Sequence, residues 1–284
     1  MTRRRHFVVV MTFALVSAAN RAGAEYPDAW RWTLSVGPSA FAPRMHNLDR
    51  AMTTGGIVVL DRDWREAGAG GGDRVTTGFA KVEWGFGGQV TIGYEFNEDM
   101  RGGVMVGVDN IYKKDSNPAI TATSTYMATA TVMITTSTTY SVSARTSLPL
   151  VSIGVFLHKV FRYDEEPALR TYIGGWGAYG ALTGASIATR FQIAGATTSR
   201  AFTTSLTAQG WAAGGLGGIE YMISPTVALF GESGFTYCVI PNIQWLGRTG
   251  GGGRLTDSNG RPIELDFSGF YIRIGVKLAL ASPS

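Results

Sequence analysis

The sequence predicts an all-β protein, a transmembrane antiparallel up-and-down β-barrel of about eight strands. Three observations predict it. Long segments alternate apolar with small or polar residues, short turns alternate with long loops, and only 16% of the 284 residues are charged, against 38 glycines. Successive side chains of a strand point to opposite faces, so each such segment has one lipid-facing and one lumen-facing side. A hairpin between Thr121 and Arg145 would raise the number of strands to ten.

Residues 1–24 are predicted to be a cleaved signal peptide, followed by a barrel domain over 25–284. Arg3 to Arg5 form a basic start, Phe7 to Ala19 an apolar stretch, and Ala22 to Ala24 a cleavage site of small residues. At 1.5 Å per residue the apolar stretch spans only about 20 Å, which is too short for a membrane helix. The signal holds four of the 25 basic residues and none of the 21 acidic ones, so the rest of the chain is neutral. A neutral chain speaks against nucleic-acid binding.

The clearest alternation starts at Val82, where apolar residues such as Trp84, Phe86 and Ile92 take the even positions and glycine or polar residues the odd ones. Each candidate strand is close to the length that crosses a bilayer. The alternative is a soluble lipocalin-like barrel, whose outer face would carry many lysines and glutamates. The non-apolar face here is mostly Gly, Ala, Ser and Thr, which favours a narrow lumen. The candidate strands are 30–37, 82–95, 103–109, 151–157, 169–182, 209–221, 226–237 and 270–280.

The connections between these strands are of two kinds. Short polar turns are predicted at 97–99, 163–167 and 223–225, and long loops rich in glycine, threonine and serine at 43–78, 113–146, 183–206 and 239–266. Outer-membrane barrels have short periplasmic turns and long external loops. The pattern therefore places both termini at the periplasmic end, in a bacterial outer membrane.

Three segments resemble small outer-membrane β-barrels of the OmpA, OmpX and opacity-protein kind. They are the glycine-rich strand Leu169 to Gly177, the hairpin Gly214 to Ser233 around Ser224-Pro225, and the closing strand Phe270 to Leu280. The resemblance implies a Gram-negative outer membrane and assembly by the barrel-assembly machinery. Proteins of this kind include adhesins, structural proteins, narrow pores and enzymes.

The candidate site is a group of charges on the small-residue face. In a barrel of eight strands the lumen is just wide enough for side chains, so inward charges must pair. Glu232 and Arg273 lie at comparable depth on adjacent strands and are predicted to form a pair. The network serves as a rigid plug or, alternatively, as a narrow ion-selective or small-solute pathway. Its predicted members are Glu83, Glu95, Asp109, Glu220, Glu232, Arg273 and Lys277.

Two histidines remain outside the signal. His46 lies in a charged loop, where it could act as the base of a protease or lipid A-modifying enzyme. No nucleophile stands at a recognisable spacing from it, so the mixed-charge loop is the favoured reading and no catalytic residue is assigned. His158 is expected to be a polar residue at the periplasmic rim. No metal-ligand or phosphate-loop motif is present, so no cofactor is expected.

The sequence thus predicts a non-enzymatic, monomeric surface protein for adhesion, other surface interaction or envelope structure. Its partners would be outer-membrane lipid, lipopolysaccharide and a host or extracellular ligand, contacted through the loops. The contact candidates are Trp64 and Arg65 in the first long loop and Trp245, Arg248, Arg254 and Arg261 in the last.

Overall fold

The computed structural model describes residues 32–45, 84–129, 132–193, 197–246, 252–257 and 259–281, which form thirteen β-strands. The signal peptide therefore stays a prediction, since residues 1–24 lie outside the described part. Over that part of the chain, no helix is long and apolar enough to cross a membrane.

Eight of the thirteen strands close into an antiparallel ring, as the sequence predicts. The ring closes because the last strand, β13, pairs with both β9 and the first strand, β1. Its order is β1-β2-β3-β4-β5-β8-β9-β13. The ring strands are β1 (Trp32–Pro43), β2 (Gly85–Glu95), β3 (Met100–Thr129), β4 (Val132–Arg162), β5 (Leu169–Leu182), β8 (Gln209–Ser224), β9 (Val227–Ile240) and β13 (Gly269–Ala281).

The outside of the ring is an apolar band. Large apolar side chains that a water-soluble protein would bury are instead exposed, among them Ile153 (64% exposed) and Ile274 (62%). Aromatic residues border the band, with Trp32 and Tyr221 near the short turns and Trp211 and Tyr237 near the opposite end. This is the exterior of a barrel that faces lipid. We call the end with the short turns the turn end and the opposite one the loop end.

Three of the four predicted long loops prove instead to contain strands. Two ring strands, β3 and β4, continue far beyond the ring, so that Asn110 pairs with β2 but the later residues of β3 pair only with β4. The described residues between Thr121 and Arg145 are thus paired strand, as the ten-stranded alternative required, but they lengthen two ring strands and add none. The remaining strands are β6 (Ala185–Ile193), β7 (Ser199–Thr207), β10 (Gln244–Leu246), β11 (Gly252–Arg254) and β12 (Leu265–Asp266).

Four of these extra strands join the continuations of β3 and β4 in one sheet at the loop end, in the order β11-β10-β7-β6-β4-β3. We call it the outer sheet.

The fourth predicted loop, 43–78, lies outside the described residues except for its first three. The prediction of loops over 113–146, 183–206 and 239–266 is wrong because each segment contains residues that pair as strands beyond the ring, although in 239–266 these strands are only two or three residues long.

One face of the outer sheet covers a buried apolar cluster, which we call the apolar cap. It combines Ile187 of β6 and Leu206 of β7 with Leu148 of β4 and with Ile243 and Leu265 from the segment after β9. Each of these residues is at most 4% exposed. The cap lies at the loop end of the barrel and fills the space above the lumen.

Candidate functional site

Glu220 is the centre of a charge cluster inside the turn end of the ring. It pairs with Arg101, at 2.7 Å between Nη2 and Oε1, and with the ammonium of Lys277. These residues come from β8, β3 and β13, and each is at most 3% exposed. Their side chains meet because all three strands end near the short turns and place these positions on the inner face. A carboxylate with two cationic partners remains ionised and fixes the spacing of three strands.

Glu95 forms the outer part of the same cluster. Its carboxylate lies 3.9 Å from Arg101, 3.8 Å from Arg162 and 3.8 Å from Arg170. At these separations the three contacts are ion pairs that are longer than direct hydrogen bonds. One buried carboxylate thus faces three guanidinium groups at the turn end of the lumen.

Glu232 anchors a second group, one level deeper in the barrel. The ion pair with Arg273 is 2.5 Å long, and the two residues are direct register neighbours on β9 and β13. Two phenol hydroxyls donate to the same carboxylate, Tyr172 at 3.0 Å and Tyr271 at 3.3 Å. The carboxylate therefore has three donors, two from β13 and one from β5, as a buried charge requires.

His158 lies inside the barrel, so its predicted position at the rim is wrong. The side chain is 6% exposed and its ring stacks on Tyr172 at a centroid distance of 5.0 Å. Nδ1 is 3.3 Å from an Arg101 nitrogen. Because a guanidinium can only donate, Nδ1 is the acceptor of this hydrogen bond. The imidazole is thus part of the lumen packing and faces no described nucleophile.

The open space in the lumen is small. A void of about 60 Å³ lies between the charge groups and the apolar cap, lined by Asp109, Arg273, Ser39 and Trp176. A second void beside Glu220 and Glu232 measures about 20 Å³. Such volumes hold a few water molecules. Asp109 is half-buried against the larger void and has no ion pair among the described contacts.

The structure brings most of the predicted lumen charges together. Glu95, Glu220, Glu232, Arg273 and Lys277 are buried inside the ring, and Asp109 lines it. Glu83 lies outside the described residues, as do His46, Trp64, Arg65 and Arg248. Over the part of the chain that is described, no group of three or more His, Cys, Asp or Glu could hold a metal ion.

Sequence reasoning missed three cations of the cluster, Arg101, Arg162 and Arg170. Each lies close to a short turn, where the alternation of apolar residues ends and a charged residue is taken to belong to the turn. The alternation of side chains along each strand could still have identified them as inward-facing. Arg101 is two residues before Gly103, and Arg170 is two before Tyr172, so both are on the inner face.

The exposed face of the outer sheet carries a different kind of charge. Arg145 is in register with Ala188, and Arg190 with Ser143, so the two arginines are diagonal neighbours on one face. Arg254 of β11 lies on the same face, because it pairs with Gln244 of β10, which in turn pairs with Thr207 of β7. All three arginines are exposed. No acidic residue occurs in β6, β7, β10 or β11, or in β4 before residue 150.

The two other described contact candidates are placed differently. Arg261 is exposed in a turn that Asp257 holds through hydrogen bonds from two backbone amides. Trp245 is only half-exposed because its ring packs against the apolar cap. Trp245 is therefore a structural residue as much as a contact residue.

Comparison with solved structures returns bacterial surface and outer-membrane proteins. OprG from Pseudomonas aeruginosa is 10% identical, with 89% of this chain and 97% of that chain covered and a TM-score of 0.46. Neisserial surface protein A is 13% identical, with 89% and 98% covered and a TM-score of 0.38. The outer-membrane protease OmpT from Escherichia coli is 8% identical, with 92% and 100% covered and a TM-score of 0.33.

At these values the likenesses carry no argument about function. No protein-family model and no curated protein sequence matches the chain. The pairing of the strands in the closed ring establishes the fold: the chain is an eight-stranded antiparallel β-barrel. The closed ring and apolar exterior confirm the resemblance to small outer-membrane barrels.

Proposed function

We propose that this protein is a non-enzymatic outer-membrane surface protein that acts through the outer sheet. The observation that carries the proposal is the contrast between a filled lumen and an elaborated loop end. Buried ion pairs and the apolar cap occupy the lumen, whereas six strands project beyond the ring. Of the alternatives, a narrow pore needs open space between paired charges, and an enzyme needs a base that substrate can reach. His158, packed between Phe156 and Tyr172, offers no such base. His46, the base that the enzyme alternative names, lies outside the described residues.

The partner that fits the exposed face is the phosphorylated part of lipopolysaccharide. Arg145, Arg190 and Arg254 place three exposed guanidinium groups on this face. On β4 the apolar band begins just after Leu150, with the exposed Val151. Arg145 comes five residues before Leu150, so it lies at most about 17 Å from the edge of this band. Lipopolysaccharide phosphates occupy this zone just outside the hydrocarbon core. Guanidinium groups bind phosphate through paired hydrogen bonds.

Heat-modifiable migration tests the barrel class first. A folded barrel keeps its compact shape in detergent until it is boiled, so unboiled protein from an outer-membrane fraction should migrate differently from boiled protein. Identical migration of the two samples would contradict a folded barrel. Absence of the protein from this fraction would contradict the proposed location.

The partner is tested by binding of fluorescent lipopolysaccharide to the folded protein in detergent. Replacing Arg145, Arg190 and Arg254 together by alanine should weaken binding on the order of tenfold, because exposed charge contacts contribute about 0.2–1 kcal/mol each. The matched control replaces three uncharged residues of the same face: Thr203→Ala, Ser205→Ala and Gln244→Ala. Wild type should also prefer phosphorylated to dephosphorylated lipopolysaccharide. Equal affinity for both forms would overturn the assignment of the partner.

A further inference from the structure

The tip of the β3–β4 hairpin is a two-stranded ribbon that stands apart from the rest of the outer sheet. It consists of residues 121–129 of β3 paired with residues 132–139 of β4. The pairing of β6 with β4 stops at Tyr140, and that of β2 with β3 stops at Asn110. Among the described residues, each ribbon strand is therefore paired on one edge only. At about 3.3 Å per residue the ribbon is roughly 30 Å long.

The sequence of this region lacks the usual protection of a free strand edge. No charged residue occurs between Asp115 and Arg145, a run of 29 residues dominated by threonine with Ala, Ser, Ile, Val and Tyr. Natural edge strands are blunted by lysine, proline or bulges. Here Pro118 and a register shift lie at the base of the ribbon, and a second shift lies at its tip after Met127. The regular part, Thr121 to Met127, has neither.

A ribbon of two strands is only marginally stable in water, and a third strand is the usual remedy. Another polypeptide can supply it by adding a strand to the open edge, where main-chain hydrogen bonds give the affinity. The occupant must suit an edge that carries no charge. A charged peptide would gain nothing from it, whereas a second copy of the same neutral segment would match it.

We infer that the ribbon pairs edge to edge with the ribbon of a second copy of this chain. A two-fold contact uses the same edge on both copies and joins the two ribbons into one four-stranded sheet. This pairing replaces the monomer that the sequence predicts with a dimer. The inference does not depend on lipopolysaccharide, because the ribbon contains none of the arginines assigned to that partner.

Light scattering coupled to size-exclusion chromatography in detergent tests the inference. Wild type should show twice the protein mass of a single chain. The double variant Thr123→Lys/Thr125→Lys should return to one chain, since lysine on an edge strand opposes pairing. Thr203→Lys/Ser205→Lys is the matched control: it adds the same charge to exposed residues of β7, which pairs with β6 at both positions and also with β10 at Ser205. Heat-modifiable migration shows whether each variant folds.

Two results would overturn the inference. One is a single-chain mass for wild type, and the other is a twofold mass that survives the lysine substitutions in β3. Disulfide cross-linking gives a second readout for the case that the lysine variant fails to fold. Cysteine placed singly at Thr121, Thr123 and Thr125 should trap a covalent dimer from at least one position, and no dimer from any position would also count against the pairing. Added salt should leave the dimer intact but weaken lipopolysaccharide binding, which separates this proposal from the previous one.

Discussion

The two halves of the molecule are filled in opposite ways. At the turn end the interior holds ion pairs, with Glu220 and Glu232 at their centres, whereas at the loop end it holds the apolar cap. The surroundings explain the difference. Lipid covers the outside of the ring, so the apolar residues point outward and the inner face is polar. Water surrounds the outer sheet, so its apolar residues point inward as in an ordinary soluble domain.

β4 passes through both environments with one continuous alternation of its side chains. Even positions point inward from Leu148 in the apolar cap to His158 in the charge cluster. Odd positions point outward, from the exposed Arg145 to Val155 in the apolar band. The outward-facing side of the strand is thus polar before Leu150 and apolar after it. This change marks the edge of the lipid-covered zone.

The largest effect is expected from Glu220→Ala. The substitution leaves Arg101 and Lys277 buried without their shared carboxylate, and breaking one partner of a buried ion pair costs about 3–5 kcal/mol. Urea unfolding of the refolded barrel measures the change in the free energy of unfolding. Glu166→Ala, in an exposed turn, is the control and should change it by less than about 0.5 kcal/mol. Equal effects of the two variants would show that the cluster does not hold the turn end together.

Leu148→Ala tests the other half. The side chain is 1% exposed in the apolar cap, so its truncation should lower the free energy of unfolding by about 2–4 kcal/mol through lost burial and a new cavity. The exposed Thr203→Ala serves as the control in the same urea experiment. A loss no larger than that of the control would mean that the cap is not a packed core.

A smaller effect is expected from Gly218→Ala. A methyl group at this glycine would collide with the ring of Tyr172, which donates a hydrogen bond to Glu232. Overpacking of this kind costs about 1–3 kcal/mol. The neighbouring Gly217 has only ordinary contacts around its position, the nearest atom being 3.8 Å away, so Gly217→Ala should cost less. If both variants unfold alike, the contact with Tyr172 is not what constrains Gly218.

The last comparison concerns conductance, where no effect is expected. Glu232→Ala removes the partner of Arg273 but leaves the apolar cap in place above it. Planar-bilayer recordings should therefore show no channel openings for either wild type or this variant. Openings in wild type would favour the narrow pore, and openings in the variant alone would show that the ion pair, and not the cap, closes the lumen.

Sequence reasoning was strongest where the two faces of a strand differ in chemistry. The ring strands could be predicted because segments such as Gly85 to Glu95 face lipid on one side and a crowded lumen on the other. The extensions of β3 and β4 could not, since threonine on both faces gives no contrast between them. The apolar cap was missed for another reason: Leu148, Ile187 and Leu265 come from segments far apart in the chain, and only the folded sheet brings them together.

The uncharged run between Asp115 and Arg145 also bears on how the barrel is built. In the proposed orientation, assembly starts from the periplasm, so the whole β3–β4 hairpin must be carried across the hydrocarbon layer to reach the cell surface. Each charged residue at the centre of a membrane adds about 2.5–3.5 kcal/mol to such a transfer. The uncharged run avoids that barrier over its own length, although the charged residues at its base do not. The composition that leaves the edges of the ribbon open is thus the one that eases its passage.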